Sequence, residues 1–167
     1  MNNNVNSDFR TVRGYQLVNK REGKMTPALE DYLEMVYRLC LDNEYARVGK
    51  LSELLNVRPS SASKMILKLA NLGYVKYDPY EVIQLTDPGK ETGAYLLERH
   101  EIVEDFLNLI GSVNPLEETE LIEHSLSPDT VSDIASLLAF FKSNKELTNK
   151  FNVFKNNKET TKSFQKL

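Results

Sequence analysis

The chain is poor in cysteine, tryptophan and histidine and has no long apolar run. Among its 167 residues there is one cysteine, Cys40, no tryptophan and only two histidines. A single cysteine excludes an intramolecular disulfide framework and any cysteine-rich zinc finger. No apolar run approaches the roughly 20 residues of a membrane span, and the N-terminal region lacks the apolar segment of a signal peptide. These absences predict a cytoplasmic protein that does not associate with a membrane.

The charge balance is close to neutral, but the charges are segregated along the chain. There are 21 Lys and Arg residues against 24 Asp and Glu residues, a formal net charge of −3, which by itself argues weakly against a nucleic-acid partner. The charge is +5 over residues 46–77, −11 over 78–142 and +4 over 143–167, while residues 1–24 carry +3 and 25–45 carry −4. A basic block therefore lies between acidic blocks, and its place in the fold decides whether it binds nucleic acid or is a solvated face.

The basic block has the pattern of a helix-turn-helix. A first helix is predicted from Thr26-Pro27 to about Leu41, because apolar residues recur there at spacings of three and four. A short helix follows within 46–57, with Gly49 as its N-cap and Asn56 at its end. A second helix opens at Arg58-Pro59 and ends before Gly73. A short helix, a tight turn and a second helix that begins with small polar and Lys residues are typical of this DNA-binding motif.

The residues after this motif predict a wing and further helices. Residues 74–77 and 82–85 are rich in β-branched and aromatic side chains and flank a turn, so they predict a two-stranded hairpin. Further helices are expected from Thr86 to Ile110, from Asn114-Pro115 to about Ser125 with Glu117 completing a capping box, and after Ser127-Pro128. The expected fold is mainly α, a winged helix-turn-helix domain followed by an all-helical domain. Residues 143–167 are predicted to be a tail that is helical at most in part.

Both histidines lie among carboxylates at helical spacing. His124 follows Glu120 and Glu123, which share a helix face with it, and His100 has Glu104 one turn on. In the first helix Asp31 and Glu34 are three residues apart. Such charges are often only a solvated helix surface, and that alternative stays open for each pair. A metal site explains the combination better, because several carboxylate oxygens with one or two imidazoles and no thiolate suit Mn(II) or Fe(II).

Enzymatic chemistry has no positive support in the sequence. A carboxylate-bridged di-iron site requires Glu-x-x-His on two helices, but Leu97 and Leu121 stand three residues before the two histidines. The chain also lacks a Gly-rich phosphate loop, a His-Glu-x-x-His motif and a Gly-x-Ser-x-Gly motif. We therefore expect a binding protein without an organic cofactor.

Five segments, in matching order and spacing, resemble the manganese transport regulators, the short two-domain branch of the diphtheria toxin repressor family. They are Met25-Thr-Pro-Ala-Leu-Glu-Asp-Tyr-Leu-Glu-Met-Val-Tyr37, Ala46-Arg-Val48, Pro59-Ser-Ser-Ala-Ser-Lys-Met65, Arg99-His-Glu-Ile-Val-Glu-Asp-Phe106 and Glu120-Leu-Ile-Glu-His-Ser-Leu-Ser127. The resemblance implies a winged-helix DNA-binding domain over 25–95 and a helical metal-binding and dimerisation domain over 96–142. A basic arm, 1–24, and the tail, 143–167, lie outside it, and Met25 is an alternative translation start.

The resemblance also implies a ligand set and a cofactor. The family's metal ligands correspond to residues of matching type, which are Asp31, Glu34, His100, Glu120, Glu123 and His124. Hard oxygen donors at the positions of Asp31 and Glu120 favour manganese over iron, and this branch is similar to a binuclear site with two Mn(II) ions per subunit. The ancillary site of the iron branch needs a histidine where this chain has Leu116, so Glu104 is only a weaker candidate.

The implied function is metal-dependent binding of a homodimer to palindromic operator DNA, as a repressor of manganese-uptake genes. The expected DNA contacts are Arg47, Lys50, Pro59, Ser60, Ser61, Ser63, Lys64, Lys68 and Lys76. Two alternatives stay open. One is a winged-helix repressor that responds to iron, zinc or an organic ligand, and the other is a metal-binding helical protein whose winged helix contacts proteins.

Overall fold

The computed structural model describes residues 25–78 and 82–164, with side chains up to residue 157. The predicted N-terminal arm and the centre of the wing turn lie outside the described residues. The chain divides into two compact units, the first ending at Leu97 and the second beginning at Glu98. The fold is mainly helical with one small sheet, as the sequence predicts.

The first unit is a winged helix-turn-helix. Its elements are α1 (Pro27–Asn43), α2 (Val48–Leu54), α3 (Pro59–Asn71), β1 (Val75–Tyr77), β2 (Ile83–Leu85) and the first part of α4 (Asp87–Ile110). The strands form the predicted antiparallel hairpin, with Val75 opposite Leu85 and Tyr77 opposite Ile83. The backbone of Ala46 adds two hydrogen bonds to Ile83, of 2.8 and 2.9 Å. The hairpin is thereby tied to the segment that precedes α2.

One apolar stripe from each helix forms the core of this unit. Seven core side chains have no exposed surface, namely Leu33, Val36, Leu51, Ala62, Ile66, Leu69 and Ile83. On α1 and α3 they follow the spacing of three and four that predicts these helices, and Ile83 adds a side chain from β2. The opposite face of α3 is consequently left to solvent, and this face carries the serines and lysines of the basic block.

Two glycines end helices in the left-handed conformation that favours glycine. Gly73 has φ +85° and follows α3, and Gly111 has φ +84° and follows α4. At the first end, the Gly73 amide donates to the Ala70 carbonyl and the Tyr74 amide donates to the Leu69 carbonyl, both at 3.0 Å. These paired bonds are those of a Schellman motif, so both predicted helix ends are confirmed.

The second unit contains the rest of α4, α5 (Pro115–Ile122), a 3₁₀ turn (Glu123–Ser125), α6 (Pro128–Ser143) and α7 (Lys145–Phe164). The expectation of one helix reaching Ser125 is wrong, since the α-helix ends at Ile122 and tightens into the 3₁₀ turn. The predicted capping box is also absent, because the Asn114 side chain contacts Glu117 Oε2 at 3.4 Å and makes no bond to the helix backbone. Likewise, α2 begins at Val48 with Arg47 as its N-cap, and Gly49 lies inside its first turn.

The largest difference from the sequence prediction is α7, a helix of 20 residues where a mostly irregular tail is expected. The Phe151 ring lies 5.3 Å from the Phe141 ring of α6, centroid to centroid, and the Thr148 hydroxyl donates to the Phe141 carbonyl at 2.7 Å. These contacts with α6 stabilise a helix whose own sequence is polar, because tertiary packing routinely outweighs weak intrinsic propensity. Within the described residues, no helix is long and apolar enough to cross a membrane.

Candidate metal centre and nucleic-acid interface

Four of the six predicted metal-binding side chains and the weaker candidate Glu104 meet within the second unit. We call this group the carboxylate–histidine cluster, and its members are His100, Glu104, Glu120, Glu123 and His124. Helix α4 supplies the first two, α5 supplies Glu120, and the 3₁₀ turn supplies the last two. The cluster thus draws on three consecutive elements, and the sequence-predicted ligands of this unit all belong to it.

His100 is at the centre of the cluster and is 5% exposed. Its Nδ1 lies 3.5 Å from Glu123 Oε2 and 3.8 Å from Glu120 Oε1, while its Nε2 lies 3.9 Å from Glu104 Oε2. On the other side of Glu123, Oε1 lies 3.8 Å from His124 Nε2. An octahedral ion with bonds of about 2.1 Å holds its ligand atoms about 3 to 4 Å apart. His100 Nδ1 is therefore spaced from Glu120 Oε1 and Glu123 Oε2 as ligand atoms of one ion would be, whereas Glu104 lies at the other ring nitrogen.

Glu123 is the most deeply buried carboxylate of the cluster, at 1% exposure. Within the described part of the chain, its Oε2 accepts no hydrogen bond. An ionised carboxylate buried in this way is costly unless a cation or hydrogen-bond donor compensates it. The donor set is two imidazoles and several carboxylates, which suits a divalent ion of intermediate to hard character. The residues present therefore fit a metal.

A buried arginine also enters the cluster, and helical spacing does not predict its presence there. Arg99 is 4% exposed. Its Nε lies 3.7 Å from Glu123 Oε2 and its Nη2 lies 3.0 Å from His124 Nδ1. The partners are 24 and 25 residues away in sequence, so helical spacing could not have revealed them. Arg99 thus places a guanidinium beside the buried carboxylate of Glu123.

The other two predicted ligands, Asp31 and Glu34, are on α1 in the first unit. Glu34 is 8% exposed, and Asp31 is half-buried. Arg38 holds Glu34 through two hydrogen bonds to Oε1, of 2.7 Å from Nη2 and 2.9 Å from Nε. The spacing of four residues was the signal that could have identified Arg38 as the partner. Arg38 holds the Glu34 side chain along the helix, and both of its hydrogen bonds go to Oε1 and not to Oε2.

Burial changes the pKa of two side chains on α1, Tyr32 and Cys40. Burial raises the pKa of the Tyr32 hydroxyl, and the negative charge of Asp31 adds to the increase. Burial also raises the pKa of the Cys40 thiol, although a backbone hydrogen bond at Leu85 and the charge of Lys90 oppose it. Metal binding and nucleophilic attack both need the thiolate. Cys40 is accordingly a half-buried structural thiol, which agrees with a site built from oxygen and nitrogen donors.

The predicted DNA contacts lie on the surface of the first unit, with one exception. Eight of them are exposed, namely Arg47, Lys50, Pro59, Ser60, Ser61, Lys64, Lys68 and Lys76. Ser63 is half-buried and accepts a hydrogen bond of 3.4 Å from the Tyr77 hydroxyl. The Lys50 ammonium lies 3.1 Å from Glu53, so this charge is partly compensated. The face around the start of α3 is therefore basic and rich in small hydroxyl groups.

A winged helix-turn-helix followed by a helical unit with a carboxylate–histidine cluster defines a metal-responsive DNA-binding protein. The family comparison agrees with this class. Residues 24–83 match the iron dependent repressor N-terminal DNA binding domain, and residues 86–151 match the iron dependent repressor metal binding and dimerisation domain. The chain belongs to the iron-dependent repressor family. It is a metal-dependent transcriptional regulator, which confirms the family resemblance and the function class that the sequence implies.

Individual relatives give the same result. The chain is 40% identical over 122 residues to the HTH-type transcriptional regulator MntR of Shouchella clausii, covering 72% of this chain and 85% of that one. It resembles the structure of the manganese regulator SloR with a TM-score of 0.59 and 29% identity, over 70% of this chain. It also resembles a manganese-dependent transcriptional repressor in complex with manganese, with a TM-score of 0.56 and 30% identity, over 67%. The chain spans about half the length of these two solved chains, 55% and 53%.

Proposed function

We propose that the chain is a Mn(II)-responsive repressor whose homodimer binds palindromic operator DNA in the cytoplasm. The observation that carries the proposal is the cluster around Glu123, a carboxylate at 1% exposure with one oxygen that accepts no hydrogen bond in the described chain. The manganese-regulating relatives and the absence of thiolate ligands support Mn(II) over softer metals. Two ions per subunit follow from the family resemblance.

The proposed ligands are His100, Glu120, Glu123 and His124 of the second unit with Asp31 and Glu34 of the first. The bound ion supplies positive charge that compensates the converging carboxylates. In its absence the carboxylates that converge on the histidines would repel one another, because like charges brought close together cost free energy even in a polar medium. Metal held by residues of both units would couple metal binding to the arrangement of the DNA-binding units.

The proposed mechanism is a population shift. Helix-turn-helix dimers bind two half-sites about 34 Å apart, so an operator selects one arrangement of the two α3 helices. Metal favours that arrangement only to the extent that it binds it more tightly than the others. In the groove, Ser60, Ser61 and Lys64 contact bases and phosphates, whereas Arg47, Lys50, Lys68 and Lys76 contact phosphates. Repression of manganese-uptake genes is the resulting output.

Operator binding and metal titration of matched variants test this proposal. Glu123→Gln keeps the shape of the buried side chain and removes its charge, while Glu118→Gln makes the same change at an exposed position of α5 outside the cluster. We expect Mn(II) to increase operator affinity at least tenfold in the wild type and in Glu118→Gln, and to lose this effect in Glu123→Gln. Calorimetry with Mn(II), Fe(II) and Zn(II) measures selectivity and the number of ions.

Each outcome has a definite meaning. Equal operator binding with and without Mn(II) in all three proteins would refute the metal switch. A larger response to Fe(II) or Zn(II) than to Mn(II) would identify an iron or zinc regulator. A response to small organic molecules with flat metal titrations would favour an organic effector, and undetectable DNA binding at low salt would favour a helical protein with protein partners.

A further inference from the structure

We propose that Arg99 is a displaceable internal cation, which occupies the carboxylate–histidine cluster in the metal-free protein and must release His124 when metal binds. The inference rests on the proposed function, because it concerns the affinity of the same metal site. It assigns a role to a residue that is not itself a ligand. Arg99 is a positioning residue that sets how much metal is needed to occupy the site.

The first step is the hydrogen bond between Arg99 and His124. Arg99 Nη2 lies 3.0 Å from His124 Nδ1. A guanidinium has only donors, so Nδ1 must be the acceptor and carries no proton. In a neutral imidazole the proton is then on Nε2, the nitrogen that lies 3.8 Å from Glu123 Oε1. The one lone pair of His124 that could bind a cation is therefore engaged by Arg99.

The second step is the incompatibility of this hydrogen bond with metal binding. A neutral imidazole has a single unprotonated nitrogen. If Nδ1 binds the ion, Arg99 must leave that atom. If Nε2 binds the ion, the proton moves to Nδ1, and two N–H donors then face each other across the Arg99 contact. Either way, His124 can become a ligand only after its bond to Arg99 is broken.

The third step concerns charge at Glu123. The Arg99 Nε lies 3.7 Å from Glu123 Oε2, and the side chains are 5% and 1% exposed. Arg99 thus partly compensates a buried carboxylate that would otherwise be strongly destabilising in the metal-free protein. A divalent ion beside Glu123 performs the same compensation and is repelled by the guanidinium. Arg99 consequently stabilises the metal-free protein and lowers its affinity for metal, and both contacts act in the same direction.

Calorimetric titration of Mn(II) into the full chain tests the proposal. Arg99→Met keeps an unbranched apolar stem and removes the charge and the donors of the side chain. We expect its Kd for Mn(II) to be about tenfold lower than that of the wild type, since metal no longer has to break a charged hydrogen bond. Arg99→Lys retains a charge and a donor and should stay close to the wild type. Lys150→Met removes a charge from the same unit at a residue whose side chain is 68% exposed, and it should leave the Kd unchanged.

Two further measurements keep the result decisive. The metal-free Arg99→Met protein should unfold at a lower temperature than the wild type and gain more stability on saturation with Mn(II). Nitrogen NMR of the metal-free wild type should find the His124 proton on Nε2, a readout that does not depend on any variant folding. A proton on Nδ1, or an Arg99→Met Kd equal to or weaker than that of the wild type, overturns the role of Arg99. Absence of Mn(II) binding by the wild type instead overturns the proposed function itself.

Discussion

Two glycines in the first turns of different helices should respond in opposite ways to the same substitution. Gly89 is the third residue of α4, and a Cβ added there would lie 1.9 Å from the Tyr74 carbonyl oxygen and 3.2 Å from Leu85 Cδ2. Gly49 is the second residue of α2, and a Cβ added there meets nothing within 4 Å. We predict that Gly89→Ala destabilises the first unit and that Gly49→Ala does not.

The magnitude follows from the bonds at Tyr74. Its carbonyl accepts hydrogen bonds from the Thr86 amide at 3.0 Å and from the Thr86 hydroxyl at 2.9 Å. Relieving the clash moves the start of α4 away and breaks both bonds, which contribute about 1 kcal/mol each. Overpacking strain adds about 1 to 3 kcal/mol, and the helix preference for Ala returns about 0.5 to 1 kcal/mol. The net loss for Gly89→Ala is about 2 to 4 kcal/mol.

Urea unfolding of the metal-free protein, followed by circular dichroism, measures both free energies of unfolding. Gly49→Ala should be neutral or stabilising by up to about 1 kcal/mol, because only the helix preference changes. A Gly89→Ala protein as stable as the wild type would refute the close approach of α4 to Tyr74. A loss of the same size in Gly49→Ala would show that the effect belongs to glycine in a first turn and not to the contact.

Three other predictions concern the surface, the last helix and the half-buried thiol of Cys40. Lys64→Ala should weaken operator binding and lower the slope of log K against log salt by about 0.9 per subunit contact, measured by fluorescence anisotropy; an unchanged slope would exclude a phosphate contact. Phe151→Ala should lower the free energy of unfolding of the second unit by about 1 to 3 kcal/mol in thermal unfolding, because the Phe151 ring packs on Phe141. Val153→Ala, at a position that is 60% exposed, should change this free energy by less than about 0.5 kcal/mol. Because burial raises the Cys40 pKa, its alkylation in the folded protein should need a higher pH than alkylation of the urea-unfolded chain, and coincident pH profiles would contradict this.

Local patterns predicted the first unit well because its signals are local. The apolar spacing of α1 and α3, the β-rich runs of the wing and Gly73 each act on neighbouring residues, and the same holds for Gly111 in the second unit. Helix α7 was missed because its stability depends on contacts between Phe151 and Phe141 and between Thr148 and the end of α6, which no window of its own polar sequence contains. Similarly, the capping pattern pairs the Asn114 side chain with the helix backbone, whereas in the structure it contacts the Glu117 carboxylate instead.

At the metal site, the chemistry of the donors and their grouping at helical spacing follow from residue types and their order along the chain. Carboxylates and imidazoles without a thiolate specify a hard to intermediate divalent metal, whatever the fold. Three features depend on packing: Glu123 is nearly completely buried, His100 approaches it to 3.5 Å, and Arg99 reaches both Glu123 and His124. Burial and approach between residues more than 20 positions apart depend on how α4 packs against α5 and the 3₁₀ turn. Residue types therefore define what the cluster can bind, whereas packing defines which internal cation the metal has to displace.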